Sequence, residues 1–564
     1  MIYRFKNKPN KIDRLTLTIF ALLLVMQIGT SHASIGEPYQ VSAEMGPTGD
    51  VFFAADGYSI SPASKFIVYL ADQDADNVYE LFSVAITGGT PTKLNAPLTT
   101  GGDVQRGFKI SPDGSRVVYQ ADQQSNDVFE LYSVPITGGV PTKLNASPTS
   151  GGDVYSGFQI SSDSTRVVYL SDQNVNNVNE LYSVPITGGT SLKLNTPLPT
   201  NGDVEFDFLI SPDNSRVVYI ADQENDNVLE IYSVLIGGGG IQKLNTTPIA
   251  NGDLELDFLI SPDSNFVVFR GDISSDGIIE LFSVPIAGGT QSKLSGSLST
   301  NQEVSRGFQI SPDSSRVAYI SNQISSSKAE LFSVGIDGMT MPIKLNPTPP
   351  LNGNIFTGFA ISPDSGKVVY RGDQTTNGTV DIHSAPTIGG TAIRLNPLLT
   401  GDKRVLDGFS ISSDSANVIY RADQITTDTN ELFSVPIDGG TSLRLNANLI
   451  NNGDVIDFIA NNAGNNVAYR ADQTLDQEVN LYLTPATSSA PVRLNDALPF
   501  GSSTAFAKFS NDGRYIAYIA DNDIFNQLEL YVVDLESIIE PPVVDDDMCF
   551  PIKAENAKIF VICL

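Results

Sequence analysis

The sequence has no tryptophan, two histidines and two cysteines among its 564 residues. This scarcity excludes zinc centres built from clusters of His and Cys, and it argues against a Ser-His-Asp catalytic set. Basic residues are also few, since 34 Lys and Arg stand against 64 Asp and Glu, for a formal charge of −30. Phosphate binding needs a basic surface, so we expect no nucleic-acid partner. Hydrophobic residues make up 41% of the chain, which indicates a packed globular protein.

The first 33 residues are typical of a secretory signal peptide. Basic residues between positions 4 and 14 precede an apolar stretch at 15–28, and residues 31–33 offer small side chains for cleavage. The apolar stretch is shorter than the roughly 20 residues of a membrane-spanning helix, which disfavours an uncleaved anchor. We therefore expect an exported protein, either periplasmic or secreted, with no membrane insertion of the mature chain. His383 is then its single histidine.

A phrase of the form Ala-Asp-Gln recurs about every fifty residues and divides the rest of the chain into ten copies. In the copy at 203–245, apolar and β-branched residues at 206–210, 216–221, 230–236 and 241–245 predict four strands separated by turn residues. Four antiparallel strands per copy are the unit of a β-propeller blade. The position of the Asp is occupied by Asp72, Asp122, Asp172, Asp222, Asp272, Asn322, Asp373, Asp423, Asp472 and Asp521.

The two ends of the repeat region predict a closed ring. The last copy has no fourth strand, whereas residues 37–42 align with the fourth strand of the first copy at 90–95. We predict an all-β fold, one propeller of ten four-stranded blades at 34–540, whose last blade is completed by the N-terminal strand. The alternatives are two smaller propellers in tandem, because propellers typically have four to eight blades, and a solenoid of stacked hairpins.

Two phrases of the repeat resemble a known family. Residues 110–119 read Ile-Ser-Pro-Asp-Gly-Ser-Arg-Val-Val-Tyr, and residues 130–139 read Glu-Leu-Tyr-Ser-Val-Pro-Ile-Thr-Gly-Gly. Both look like the WD40-like PD40 repeat of the TolB-like propellers, and the resemblance covers about residues 37–535. It implies a propeller, often in the bacterial envelope, used for contact between proteins. The family also includes the propellers that gate peptidases of the prolyl-oligopeptidase type.

The loop after the second strand carries carboxylate or amide oxygens at positions 1, 3, 5 and 9. Several oxygens from one tight loop are what Ca²⁺ requires, and the pattern resembles the calcium hairpins of integrin-type propellers. The alternative is that these are ordinary turn residues that cap their own backbone. The candidate calcium ligands are Asp72, Asp74, Asp76, Glu80, Asp222, Glu224, Asp226, Glu230, Asp272, Asp276, Glu280, Asp373, Asn377 and Asp381.

A second acidic set precedes the first strand of five copies: Asp103, Asp153, Asp203, Asp253 and Asp454. In a propeller, the loop between blades lies on the same face as the loop between the second and third strands, so both sets should meet on one acidic face. We interpret that face as a docking surface for a basic partner, with a solvated rim as the alternative. Asp113, Asp213 and Asp263 belong to turns on the opposite face, where we expect structural roles.

Other residues carry more limited expectations. A Lys or Arg in the fourth strand of nine copies indicates protection of exposed sheet edges against pairing with other chains. His383 stands where other copies have Tyr or Phe, which predicts a packing role. The chain has no G-x-S-x-G motif. Since a glycosidase needs only two carboxylates, composition does not exclude an enzyme of that kind.

The C-terminal region divides into an acidic linker at 541–548 and a hairpin at 549–564. A turn centred on Asn556 places Cys549 opposite Cys563, and directly opposed strand residues satisfy the spacing of a disulfide. Because exported proteins meet oxidising conditions, we predict a Cys549–Cys563 disulfide.

The whole pattern predicts an exported, monomeric, non-enzymatic scaffold that presents an acidic loop face to a protein partner, with Ca²⁺ as a candidate stabiliser. A hydrolase based on carboxylates, or a glycan-binding propeller, would instead use the central channel.

Overall fold

A computed structural model describes residues 36–45, 48–348, 350, 353–376, 378–499, 502–521 and 527–536, together with the backbone of 549–554 and 558–563. The predicted signal peptide, the acidic linker and Asn377 lie outside these described residues. Within them, all regular secondary structure is β-strand, and there is no helix that is long and apolar enough to cross a membrane. The chain divides into two units, one at 37–533 and one that combines 1–36 with 534–564.

The first unit contains ten sheets of four antiparallel strands each, within the described residues. The first strands are β2 (Tyr58–Ile60), β6 (Lys109–Ile110), β10 (Gln159–Ile160), β14 (Val204–Ile210), β18 (Leu254–Ile260), β22 (Gln309–Ile310), β26 (Ala360–Ile361), β30 (Val405–Ile411), β34 (Val455–Ala460) and β38 (Thr504–Phe509). The second strands are β3 (Phe66–Ala71), β7 (Arg116–Ala121), β11 (Arg166–Ser171), β15 (Arg216–Ala221), β19 (Phe266–Gly271), β23 (Arg316–Ser321), β27 (Lys367–Gly372), β31 (Asn417–Ala422), β35 (Asn466–Ala471) and β39 (Tyr515–Ala520).

The third strands are β4 (Glu80–Ala85), β8 (Glu130–Pro135), β12 (Glu180–Pro185), β16 (Glu230–Leu235), β20 (Glu280–Pro285), β24 (Glu330–Gly335), β28 (Asp381–Pro386), β32 (Glu431–Pro436), β36 (Asn480–Pro485) and β40 (Glu529–Asp534). The fourth strands are β5 (Thr92–Lys93), β9 (Thr142–Lys143), β13 (Leu192–Lys193), β17 (Gln242–Lys243), β21 (Ser292–Lys293), β25 (Ile343–Lys344), β29 (Ile393–Arg394), β33 (Leu443–Arg444), β37 (Val492–Arg493) and β1 (Tyr39–Gln40). We number the sheets in chain order as blades 1 to 10, so that blade 10 is β38, β39, β40 and β1.

The first strands are innermost, and those of some neighbouring blades contact one another directly: β14 with β18, β22 with β26 and β34 with β38. The second and third strands are buried, since their alternating Val, Leu and aromatic side chains pack against the blades on both sides. An aromatic side chain of the second strand stacks on one of the third, as Tyr119 does on Tyr132 with ring centroids 5.5 Å apart. In blade 7 the stacked pair is Tyr370 and His383, which gives His383 the packing role that the sequence predicts.

The ring closes between the last blade and the first. The N-terminal strand β1 pairs with β40, with Tyr39 opposite Val532 and Gln40 opposite Tyr531. A single apolar cluster joins blade 10 to blade 1, and similar clusters join each successive pair from blades 1 and 2 to blades 8 and 9. Arg470 of blade 9 donates to the carbonyl of Thr504 in blade 10. The prediction of one ten-bladed propeller is confirmed, and the two alternatives are wrong.

The second unit contains a short hairpin. Strands β41 (Cys549–Ala554) and β42 (Lys558–Cys563) pair in a register that puts Cys549 opposite Cys563. This is the register that the turn at Asn556 predicts. The disulfide itself stays a prediction.

Candidate functional site

The loops between the second and third strands share one face of the ring with the loops that link blades, and we call this the loop face. In blade 4, the backbone NH of Asp203, in the linking loop, donates to Asp222 Oδ1 at 2.6 Å. The backbone NH of Asn227 donates to Asp222 Oδ2 at 2.9 Å. Both oxygens of the buried Asp222 therefore hold the loop in place. Equivalent bonds are made by Asp72, Asp122, Asp172, Asp272, Asp373, Asp423 and Asp472.

Each Asp of the linking loops joins neighbouring blades. The side chain of Asp203 accepts the backbone NH of Asn179 in blade 3 at 2.7 Å, while its own NH binds Asp222 in blade 4. A glycine beside the Asp eases the close approach of the two loops, since a Cβ at Gly152 would lie 2.8 Å from the carbonyl oxygen of Asp172. In blades 6 and 8 the equivalent residues are Gln302 and Lys403, and the approach is still made. The five predicted binding-face acids are thus first of all links between blades. The amides bound by Asp103, Asp153, Asp253 and Asp454 are those of Tyr79, Phe129, Leu229 and Asn430.

These links place carboxylates close together. Burial raises the pKa of Asp203, and the neighbouring charge of Asp222 raises it further, against the lowering effect of the bond from Asn179. Burial and the charge of a neighbouring Asp also raise the pKa of Asp50, Asp103 and Asp153. The loop face therefore carries internal repulsion, which a bound cationic group would relieve.

The acid at position nine of each loop is used inside its own blade. Glu230 is buried, pairs with Lys243 of the fourth strand, and accepts a hydrogen bond from the Tyr232 hydroxyl at 2.7 Å. Basic residues of the fourth strands thus neutralise buried carboxylates. The sequence pattern alone predicts only that they protect exposed sheet edges. The same ion pair joins Glu80 to Lys93, Glu130 to Lys143, Glu180 to Lys193, Glu280 to Lys293, Glu330 to Lys344 and Glu431 to Arg444. In blade 7, Asp381 instead accepts hydrogen bonds from Asn396 and Thr375.

The predicted calcium ligands do not converge in this arrangement. Within the described residues, no group of three or more Asp, Glu, His or Cys side chains is placed to hold a metal ion. The acids at positions 1 and 9 are engaged by backbone amides and by fourth-strand cations. Those at position 3 include Asp74 and Glu224, which pair with Lys93 and Lys243 at 2.6 and 3.0 Å. Calcium binding stays a prediction, and the loops have a structural explanation that needs no ion.

Positions 3 to 6 of these loops, most of which are exposed, form what we call the loop tips. Their side chains differ between blades, whereas the buried positions repeat. Exposed acids at the tips are Asp74, Asp76, Asp127, Glu224, Asp226, Asp276, Asp428 and Asp476. Exposed apolar residues at the tips are Val175, Ile324, Ile425 and Leu475. The tips are therefore the part of the acidic face that is open to a partner.

The sequence reasoning missed a set of arginines next to the loop face. The residue that ends the apolar run of the second strand is Leu70, Leu170, Ile220, Ile320 or Ile519 in five blades, and Gln120 in blade 2. In blades 5, 7, 8 and 9 it is Arg270, Arg371, Arg421 and Arg470. Each of these arginines donates to a main-chain carbonyl at the start of the next inner strand. Comparison of the aligned copies would have revealed the set.

Two cavities lie where three of these arginines are adjacent. One of about 400 Å³ lies between β30 and β34, and one of about 210 Å³ extends from β34 to β38. Asp457, Phe458 and Ile459 line both. This sector departs most from the repeat, and it is the candidate for small-molecule binding.

No family model matches the sequence. No curated protein matches it either. Solved structures do: a prolyl endopeptidase is similar at 11% identity with a TM-score of 0.36, over 66% of this chain and 55% of that one. The chain thus spans about half the length of that endopeptidase.

Two further solved structures are similar to parts of the chain. A putative TolB from Agrobacterium tumefaciens is 18% identical with a TM-score of 0.27, over 46% of this chain and 83% of that one. The dipeptidyl peptidase 4 of Porphyromonas gingivalis is 10% identical with a TM-score of 0.46, over 75% of this chain and 67% of that one. Similarities of this size say nothing about activity.

Proposed function

We propose that the protein is an exported, non-enzymatic propeller scaffold whose loop tips dock a basic protein partner. The observation that carries the proposal is that buried and exposed carboxylates of the loop face have different roles. Both oxygens of the buried Asp222 are bound by backbone amides of the fold, whereas the exposed Asp226 makes only a 3.5 Å contact with the side chain of Asn201. Repetition at the buried positions builds a rigid base, and variation at the tips gives each blade a different contact surface.

The tips combine two kinds of contact that suit a protein partner. Blades 1, 4 and 5 present exposed carboxylates, such as Asp76, Asp226 and Asp276. Blades 3, 6, 8 and 9 present single apolar side chains, of which Ile324 is 60% exposed. Charge complementarity gives specificity and fast association, and apolar anchors that become buried on binding supply affinity. The crowded carboxylates beneath the tips add a negative potential that favours a cationic partner.

Affinity capture tests the proposal. The bait is tagged residues 34–564, exposed to native envelope extract and to culture supernatant, with calcium or with chelator. A second bait carries Asp74→Asn, Asp76→Asn, Asp226→Asn and Asp276→Asn, which neutralise tips in three blades. A control bait carries Asp337→Asn and Asp438→Asn, two exposed acids in turns on the opposite face.

The proposal expects one protein to be recovered by the wild type and by the control bait, and to be lost from the tip variant or strongly reduced. Equal recovery by the tip variant would contradict docking through acidic tips. Recovery of no protein by the wild type under either condition would contradict the scaffold role. Recovery that requires calcium would support an ion at the loops as well.

A further inference from the structure

The cavity between β30 and β34 has the size and lining of a small-molecule site. Its volume of about 400 Å³ falls in the range of small-ligand pockets, about 300–1,000 Å³. Phe409, Phe458 and Ile459 form apolar walls, and Ser410 contributes a hydroxyl. Arg421 supplies the cationic group. The combination of apolar walls with a few polar groups is typical of pockets that bind small molecules.

The repeat is broken around this cavity. Val455 and Phe458 are three residues apart, whereas Val204 and Phe208 of blade 4 are four apart. The pairing with the second strand shifts in both blades, between Val204 and Phe208 in blade 4 and between Val455 and Asp457 in blade 9, so the change in β34 is the loss of one residue. On the far side of β34, Phe506 lines the neighbouring cavity with φ of 48°, a left-handed conformation that is strained for a bulky residue. Strained residues concentrate at functional sites. In a chain of near-identical blades, these departures fall in one sector.

Arg421 differs from the other three arginines of its set. Arg270, Arg371 and Arg470 each pair with a carboxylate of an inner-strand segment, namely Asp257, Asp407 and Asp457. Among the described residues, no carboxylate forms an ion pair with Arg421. Its Nη1 donates to the carbonyls of Val455 and Ile456, and its Nη2 makes only a 3.5 Å contact with the carbonyl of Asp407. Burial lowers the pKa of Arg421, against the raising effect of the charges of Asp457, Asp454 and Asp407.

Unlike Arg421, the two carboxylates at the cavity, Asp407 and Asp457, each have a partner of opposite charge. Asp407 is held by Arg371 at 2.6 Å and its side chain is 86% exposed, while Asp457 is held by Arg470 and is 51% exposed. Each forms an ion pair with its own guanidinium and none with Arg421, although the charges of Asp457, Asp454 and Asp407 all raise the pKa of Arg421. Asp407 Oδ1 accepts from Arg371 and Gly408, which leaves Oδ2 as an acceptor for a hydroxyl group. Both oxygens of Asp457 accept from Arg470, and each keeps a second lone pair for a hydroxyl group.

We propose that this cavity binds a small hydroxylated carboxylic acid of the sugar-acid class. The carboxylate of the ligand pairs with Arg421, whose planar guanidinium suits a carboxylate. Hydroxyl groups of the ligand donate to Asp407 and Asp457, and the apolar face of its ring packs on Phe458. A neutral sugar lacks the anion for Arg421, and an aryl carboxylate lacks the hydroxyls for the two Asp side chains.

Isothermal titration calorimetry on the mature chain tests the proposal with four probes: glucuronate, galacturonate, glucose and benzoate. One variant, Arg421→Gln, removes the cation. The control variant, Arg306→Gln, removes an arginine that is 78% exposed beside an inner strand of blade 6 and lines neither cavity. Circular dichroism and thermal unfolding establish that both variants fold as the wild type does.

We expect one or both sugar acids to bind the wild type and the Arg306→Gln variant equally, and to bind Arg421→Gln about tenfold more weakly or worse. Glucose and benzoate should each bind at least about tenfold more weakly than the better sugar acid. Equal affinity for Arg421→Gln would overturn the proposal. So would binding confined to benzoate or to glucose, or no heat with either sugar acid up to about 10 mM, beyond the millimolar range of weak sites.

Discussion

The two faces of the ring use the same residue, aspartate, in opposite ways. On the face opposite the loops, which we call the turn face, the Asp of each Ser-Pro-Asp turn is satisfied by donors around it. Burial alone would raise the pKa of Asp213, but the hydrogen bonds from Ser211 and Ser215 outweigh burial and lower that pKa. On the loop face, burial raises the pKa of Asp203, and the charge of Asp222 beside it adds to that rise.

The difference indicates on which face a cationic partner would gain more binding free energy. A carboxylate with a lowered pKa is already stabilised by its surroundings and gains little from a new cation. Carboxylates that repel each other favour any bound group that neutralises them. A composition of 64 acidic residues does not distinguish the two situations, whereas the geometry does.

The largest effect of pH on stability should come from His383, which is buried inside blade 7, and it must be removed before the two faces are compared. Burial lowers the pKa of His383 from 6.5 to about 4. Its folded pKa lies below the unfolded one, so stability is complete above pH 6.5 and falls as pH drops toward 4. The expected loss is about 3 kcal/mol. His383→Phe, which restores an aromatic ring common at this position, should remove this loss in thermal unfolding from pH 7 to 4. An unchanged pH profile would contradict the assignment.

Removal of a loop anchor should have the next largest effect. Asp222→Ala leaves the backbone amides of Asp203 and Asn227 without their acceptors, which should lower the free energy of unfolding by about 2–3 kcal/mol. Asp222→Asn should cost less, because blade 6 naturally uses Asn322, whose Oδ1 accepts the NH of Glu303 at 2.7 Å. Unfolding monitored by circular dichroism measures both variants. A cost for Asn equal to that for Ala would show that charge, and not acceptor geometry, holds the loop.

Removal of a turn-face anchor should cost less again. Asp213→Ala loses bonds from Ser211 and Ser215 at 2.6 and 3.0 Å, but the site is largely exposed, so about 1 kcal/mol is expected. The same unfolding assay applies. A cost larger than that of Asp222→Ala would reverse the ranking of the two faces.

The two faces should also respond to acid with opposite sign. The folded pKa of Asp213 lies below 3.8, so its stabilisation is present above pH 3.8 and is lost as pH falls. The folded pKa of Asp203 lies above 3.8, so its stabilisation is present below pH 3.8 and is lost as pH rises.

Relative to Asp213→Asn, the wild type should therefore gain stability as pH rises from 3 to 6, and relative to Asp203→Asn it should lose stability. Each change should be below about 1 kcal/mol. Unfolding in the His383→Phe background measures both. Trends of the same sign would remove the electrostatic contrast between the faces.

Substitution at the loop tips should leave stability almost unchanged. The combined variant Asp74→Asn, Asp76→Asn, Asp226→Asn and Asp276→Asn should unfold within about 0.5 kcal/mol of the wild type. Exposed positions contribute little to the folded state, and the ion pair that is lost, between Asp74 and Lys93, lies at the surface. A larger loss would mean that the tips are part of the structural base. Thermal unfolding beside the Asp222→Ala variant gives the comparison directly.

The repeat made most of the fold predictable. The fifty-residue period, the turn residues and the match between residues 37–42 and a fourth strand predicted ten blades and ring closure, and β1 paired with β40 confirms both. Strand ends were less predictable: the fourth strand of blade 4, expected at 241–245, is only Gln242–Lys243. Edge strands shorten because they have a pairing partner on one side only.

The site was less predictable than the fold, because the same residue at the same spacing serves two purposes. The pattern at Asp222 and Asp226 does not reveal that one binds backbone amides and the other faces solvent. That distinction depends on which backbone amides the folded loop brings to each side chain, namely those of Asp203 and Asn227 for Asp222. The cavity beside Arg421 depends likewise on a one-residue change of spacing in β34.

Zero-length cross-linking of the complex with its captured partner is the most direct test of whether the partner docks on the loop tips. A carbodiimide joins a carboxylate to a lysine only where the two are in contact, and mass spectrometry locates the joined residues. The account predicts cross-links from partner lysines to tip acids such as Asp76, Asp226 and Asp276. Cross-links confined to turn-face acids such as Asp337 and Asp438 would contradict it.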